Sequence, residues 1–419
     1  MVVSNSSSSS LTCVASGATN SGSTNVATVI VDGGPACAQV DGEGQVNILY
    51  VTVVVCAPGS TTNCQTIDHV QVDTGSYGLR LLSQALEPAL ASALPIVNES
   101  VSGQPLAECT QFADGYSWGP IKSADMQVAG EKASGIEVQV IGDPSYTEVP
   151  DACSSYGTQE DTVATFGANG ILGVGPFVQD CGGGAMGCTT DQQNGLYYVC
   201  ATTMSCTAST VSLAQQVSNP VASFTNSSNG IADNNGVIIE LPQIAAAGQL
   251  SAQGSLIFGI DTESNNTMVA TNVLFGDPTD GNIVTIYGNS TLPDSYIDSG
   301  SNGYFFQDST LPACTINTGF YCPVSPTVRT ATNEGATGTP QSMVSFTVGD
   351  VDTLNTSYAA FDELAGSLSS PGGGQQVPPT FDWGLPFFFG LNVYTAIACN
   401  QTGASCQTTS QGYGPYFAY

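Results

Sequence analysis

Apolar residues fall along the chain in short runs separated by turn-forming residues. The runs Gln45 to Cys56, His69 to Val72, Gly135 to Ile141, Gly236 to Leu241, Ser255 to Ile260, Asn282 to Tyr287 and Met343 to Val348 are rich in Val, Ile and Phe. Each is bounded by Gly, Pro, Asn or Asp, the pattern expected of strands. Helical spacing is scarce: Tyr77 to Leu94, Val211 to Val217 and Tyr358 to Leu368 each allow a turn or two. The 48 glycines and 22 prolines imply many turns, so the predicted class is mostly β.

At 419 residues the chain approaches the size at which one core divides, and two lobes are expected. Residues 1–35 are rich in Ser, Thr, Asn and Gly and read as a flexible N-terminal segment. Asp180 to Ser209 concentrates four cysteines and reads as a stapled insertion, and polar Asn219 to Asn235, before the strand Val237 to Leu241, reads as the lobe boundary.

Charge narrows the partners. The chain has 34 acids against 4 bases, Arg80, Lys122, Lys132 and Arg329, for a net charge of −30. Nucleic acid and anionic membranes are excluded, because binding a polyphosphate needs cations. Acidity on this scale favours a working pH below neutrality, where protonation relieves self-repulsion. Fourteen cysteines point to an oxidising compartment, with short loops available between Cys56/Cys64, Cys181/Cys188, Cys200/Cys206, Cys314/Cys322 and Cys399/Cys406. Cys13, Cys37, Cys109 and Cys153 remain. No close cysteine hook exists and His69 is the single histidine, so neither a metal nor a cofactor is expected. No run reaches the length of a membrane span and the N-terminus lacks the order of a secretion signal. We expect a secreted, periplasmic or cell-surface monomer whose export signal has been removed. Residues 4–10 resemble a tether of the kind that follows a lipid anchor.

A weak duplication carries the chemistry. Val72-Asp73-Thr74-Gly75-Ser76 is followed about a hundred residues later by Gly170-Ile171-Leu172-Gly173-Val174-Gly175. Ile297-Asp298-Ser299-Gly300-Ser301 is followed about ninety residues later by Phe387-Phe388-Phe389-Gly390-Leu391. In such a turn the glycine brings backbone N–H groups toward the carboxylate, and the hydroxyls can donate to its oxygens or to the neighbouring loop. One copy is unremarkable as a loop or helix cap; two copies with matching sequels imply paired carboxyls.

These motifs resemble the pepsin-like aspartic peptidases, over roughly residues 40 to 419. The resemblance implies a mostly β, bilobal fold with two duplicated lobes around a cleft: an N-terminal lobe over residues 36–240 and a C-terminal lobe over 241–419. Gly254 to Asp261 is similar to the strand that opens the family's second lobe. It also implies Asp73 and Asp298 as the catalytic dyad, Thr74 and Ser299 as residues locking the loops, and Gly75 and Gly300 within them. Ser76 and Ser301 become hydrogen-bond partners of the outer carboxyl oxygens. Phe112-Ala113-Asp114-Gly115-Tyr116-Ser117-Trp118-Gly119-Pro120 and Phe381-Asp382-Trp383-Gly384-Leu385-Pro386 are similar to a bacterial branch of that clan. The flap of such enzymes falls here on Phe112, Asp114, Gly115, Tyr116 and Trp118, in one of two registers: one puts Gly119 and Asp125 close to their expected offsets but replaces the flap tyrosine with Phe112, the other keeps Tyr116 and loses a glycine. Arg80, seven residues past Asp73, replaces a flap-supporting tryptophan. His69 is expected to be a plain strand residue. The implied activity is endopeptidase cleavage of an extended peptide or unfolded protein between apolar residues. A catalytically silent binding or inhibitor protein, with peptide or glycan in the cleft, is the alternative.

Overall fold

The computed structural model describes residues 25–39, 44–113, 115–181, 187–192, 196–225, 232–368, 379–399 and 406–419. The first half supplies β1 (Val26–Val31), β2 (Leu49–Cys56), β3 (Cys64–Asp73), β4 (Tyr77–Leu82), β5 (Leu106–Gln111), β6 (Gly115–Val128), β7 (Glu131–Ile141), β8 (Thr158–Gln159), β9 (Gly170–Val174), β10 (Tyr197–Thr202) and β11 (Ser205–Ala208). The second half supplies β12 (Gly236–Glu240), β13 (Ala252–Phe258), β14 (Val273–Phe275), β15 (Ile283–Tyr287), β16 (Ser290–Ile297), β17 (Tyr304–Phe305), β18 (Thr327–Glu334), β19 (Gln341–Val348), β20 (Ala365–Gly366), β21 (Asp382–Trp383), β22 (Asn392–Ala396) and β23 (Tyr416–Ala418).

A 16-stranded sheet runs β11-β10-β5-β6-β7-β4-β9-β3-β2-β1-β13-β12-β22-β23-β14, with β8 beside β6. The second sheet has seven strands in the order β19-β18-β15-β16-β21-β17-β20. Both halves repeat one unit. In the first, β3 runs into Asp73, lies parallel to β9, and β9 is paired antiparallel with the returning β4. In the second, β16 runs up to Asp298, lies parallel to β21, and β21 is paired antiparallel with β17. The chain is therefore mostly β and bilobal, with the duplicated pepsin-like arrangement.

Every run read as a strand contains one. Three other expectations change. Residues 26–31, within the segment read as flexible, form β1, because Ala27, Val29 and Val31 alternate into the core and the strand is paired on both edges, with β2 and β13. Tyr77 to Leu94 begins as strand β4, held between β7 and β9, before a short helix at Pro88–Ala93. Val211 to Val217 holds only a 3-10 turn at Leu213–Gln215, and Tyr358 to Leu368 contains β20 rather than a helix. In each case tertiary pairing outweighs a weak local preference.

The five short-loop disulfides form as spaced, and Cys109 bonds Cys153. Cys37 is also disulfide-bonded, while Cys13 lies outside the described residues. Among the described residues no helix is long and apolar enough to cross a membrane. All four basic residues are ion-paired: Arg80 with Glu108 and Asp180, Lys122 with Asp143, Lys132 with Asp125, and Arg329 with Asp308.

Candidate active site

Val72 and Ile297 are fully buried, and each delivers the next residue, Asp73 or Asp298, to the interface between the lobes. The two loops interlock. Thr74 N–H donates to Ser299 Oγ (3.1 Å) and Ser299 N–H to Thr74 Oγ1 (2.9 Å). Each hydroxyl then donates across to the opposite strand, Thr74 to Ile297 O (3.0 Å) and Ser299 to Val72 O (2.8 Å). Gln71 Nε2 adds a bond to Gly300 O at 2.8 Å. These groups are buried, so each bond relieves a desolvated partner.

Close approach explains the two glycines. A Cβ on Gly75 would stand 2.7 Å from Asp298 Cγ, and one on Gly300 would stand 2.6 Å from Asp73 Cγ. Each glycine N–H donates to the carboxylate of its own loop, Gly75 to Asp73 Oδ1 and Gly300 to Asp298 Oδ1, both at 2.7 Å. The Asp298 carboxyl lies beside that of Asp73, both close to Gly300, and titrates well above the usual range; burial is the largest cause, followed by the charges of Asp73 and Asp382. Two carboxyls so placed share one proton and titrate together.

The outer serines are not equivalent. Ser301 Oγ donates to Asp298 Oδ2 at 2.9 Å. Ser76 Oγ is buried without a partner, so its expected bond to Asp73 is absent. The apolar-Gly element of the second half is likewise corrected. Register with β16 pairs Tyr296 with Asp382 and Ile297 with Trp383, as Gln71 pairs with Ile171 and Val72 with Leu172 in the first half. Gly384, not Gly390, thus corresponds to Gly173. Phe387 and Phe388 instead sit in a buried 3-10 turn, where they fill the core. Asp382 occupies the position of Ile171: a third carboxyl, 3% exposed, near Ser301 and raised well above the usual range by burial.

Phe112 N–H donates to Gly115 O at 2.8 Å, closing the flap hairpin between β5 and β6. Asp114 lies outside the described residues. Tyr116 and Trp118 do not face the cleft. They are buried with Tyr146, Tyr198 and the Cys109–Cys153 disulfide, and Trp118 Nε1 donates to Tyr146 O at 3.1 Å. Gly115 is required there because a Cβ would meet Thr158 O at 2.3 Å, against β8. His69, in a left-handed conformation (φ 47°), pairs with Asp32 and Asp68 rather than with the dyad.

A cavity of about 300 Å³ opens over the two aspartates, with Phe112 and Ala113 of the flap in its wall. Residues that sequence reasoning missed complete it: Tyr77, Glu108, Thr110, Asp180, Asp280 and Tyr296. Burial first, then the neighbouring aspartates, hold the phenols of Tyr77 and Tyr296 well above their ordinary titration range. Both can donate to a bound group throughout acidic and neutral pH. Arg80 was visible as a departure in sequence, but its partners were not.

By comparison with known proteins, the chain belongs to the family described as "Protein of unknown function (DUF3443)", which matches residues 21–419. No curated protein matches it. Among solved structures it is similar to the crystal structure of aspartic proteinase from Irpex lacteus, at 15% identity over 89% of this chain and 93% of that one, with a TM-score of 0.48. The fold assignment rests on the strand pairings above, not on that likeness.

Proposed function

We propose that this DUF3443 chain is an exported aspartic endopeptidase that activates water with Asp73 and Asp298. The observation that carries the reading is the pair of interlocked loops holding two neighbouring carboxyls at the floor of a cleft. The ionised member takes a proton from a water molecule as its oxygen attacks the scissile carbonyl. The protonated member gives its proton to the carbonyl oxygen. A tetrahedral diol results, with no covalent acyl-enzyme. On collapse one proton passes to the leaving nitrogen, the C–N bond breaks, and the dyad again holds a single proton. An extended peptide lying beneath the flap satisfies its backbone as an added strand would.

The active pair must keep one proton, so activity is expected to be lost as pH rises past the titration of the pair. Disulfides accord with export to an oxidising space. The test is hydrolysis of a denatured protein at about pH 3 to 5, with and without a statine-type inhibitor, beside Asp73→Asn and Asp298→Asn. Inhibitor-sensitive cleavage lost in both variants is expected. A second reading has one observation in its favour: Phe112 cannot supply the hydroxyl of a flap tyrosine. A preparation that binds the inhibitor but never turns over diverse peptides would make the chain a cleft-binding protein instead.

A further inference from the structure

Arg80, Glu108 and Asp180 line the same cavity as the two candidate catalytic aspartates. The donors of Arg80 are committed: Nε to Thr110 Oγ1 (2.8 Å), one terminal nitrogen to Tyr77 O, and the other to Glu108 Oε1 (2.5 Å) and Asp180 Oδ2 (3.3 Å). Tyr197 OH donates to Asp180 Oδ2 at 2.8 Å while accepting from Val217 N–H at 2.6 Å. Two buried carboxyls therefore face a single guanidinium, and the group is one positive charge short. Glu108 is 0% exposed, and its Oε2 has no hydrogen-bond partner. Burial first, then the charge of Glu108, push Asp180 well above the usual carboxyl range, so in the empty cleft a proton makes up the deficit.

We infer that this pocket seats a Lys or Arg side chain of the peptide substrate, whose cationic head supplies the missing charge beside Glu108 Oε2 and Asp180. Two further observations favour a cationic ligand over an apolar one. Asp280 stands exposed on the cavity wall and adds a carboxylate along the route in. The chain carries a net charge of −30, and all four of its basic residues are already ion-paired. That field draws basic peptides toward the cleft and repels acidic ones. Arg80 does not oppose the ligand, because the carboxyls on either side neutralise it.

The inference rests on the peptidase reading and replaces its expected preference for apolar residues with one for a basic residue near the scissile bond. The experiment uses a set of statine-type peptides carrying one Lys or one norleucine at each position flanking the statine. Their affinities for the full chain are measured by calorimetry at about pH 5 in two buffers of different ionisation enthalpy. At one position Lys should bind about tenfold tighter than norleucine, with proton release that the norleucine peptide lacks. Glu108→Gln should erase that difference. If norleucine equals or exceeds Lys at every position, the inference is overturned and the peptidase reading stands. If no statine peptide binds at all, both fall. The comparison on the unmodified chain needs no variant to fold.

Discussion

Glu131 offers a test of how burial sets the pH at which this protein is most stable. It opens β7, is 1% exposed, and neither carboxyl oxygen meets a conventional donor. Its neighbour is the carboxyl of Asp233, also buried, with Oδ2 equally unsatisfied; Thr262 donates to Asp233 Oδ1, and Glu263 adds a further charge. Burial, then the charges of Asp233 and Glu263, push Glu131 from 4.5 up to about 8, and burial pushes Asp233 up to about 6. A carboxyl raised by folding is protonated in the native state before the unfolded chain takes up its proton. The stabilisation is full below the unfolded value and is lost as pH climbs toward 8. The whole shift would amount to roughly 4–5 kcal/mol. The site lies at a hairpin turn where nearby solvent screens it, so we take about 2 kcal/mol. Urea unfolding of the wild type and Glu131→Gln at about pH 4 and pH 8 measures it. The variant should match the wild type at the lower pH and exceed it by about 2 kcal/mol at the higher one. A variant no more stable than wild type at pH 8 would show that the buried pair is not the source of the acid preference.

The interlocked loops, the third carboxyl and the flap each give a further test. Ser299→Ala leaves Thr74 N–H and Val72 O unpaired, and should cost about 2–4 kcal/mol in urea unfolding and lower peptidase activity. Asp382, like Glu131, is raised by burial, so Asp382→Asn should melt higher than wild type near neutral pH and equally at about pH 3. Asp382→Ile, which copies the other lobe, leaves Ser301 without that contact and should reduce kcat about tenfold with little change in KM. Removing the Cys109–Cys153 bridge, which closes a 44-residue separation behind the flap, should cost about 4 kcal/mol and appear as a lower Tm.

The dyad was legible because its chemistry is local: five consecutive residues carry the strand end, the carboxyl, the hydroxyl and the glycine. The element behind the second aspartate was misread for the same reason. Asp382 interrupts the apolar-apolar-Gly pattern at its true position, while Phe387 to Gly390 completes it a few residues later. Tyr116 and Trp118 looked like cleft aromatics, but the side of the flap away from the cleft has a core of its own, built on Tyr146, Tyr198 and a disulfide from residue 153. Arg80 stood out in sequence. Glu108 and Asp180, 28 and 100 positions away, are brought to it only by folding, and no local pattern marks them. β1 escaped notice because its six residues follow a long polar stretch whose composition overshadowed them.

That first strand has a bearing on how the protein is made. One of the two edges of Val26–Val31 is reserved for residues 252–257, more than two hundred positions further along the chain. The seam joining the two halves cannot close until both strands are present, so its assembly is governed by a contact between residues far apart in the chain, the kind that slows folding.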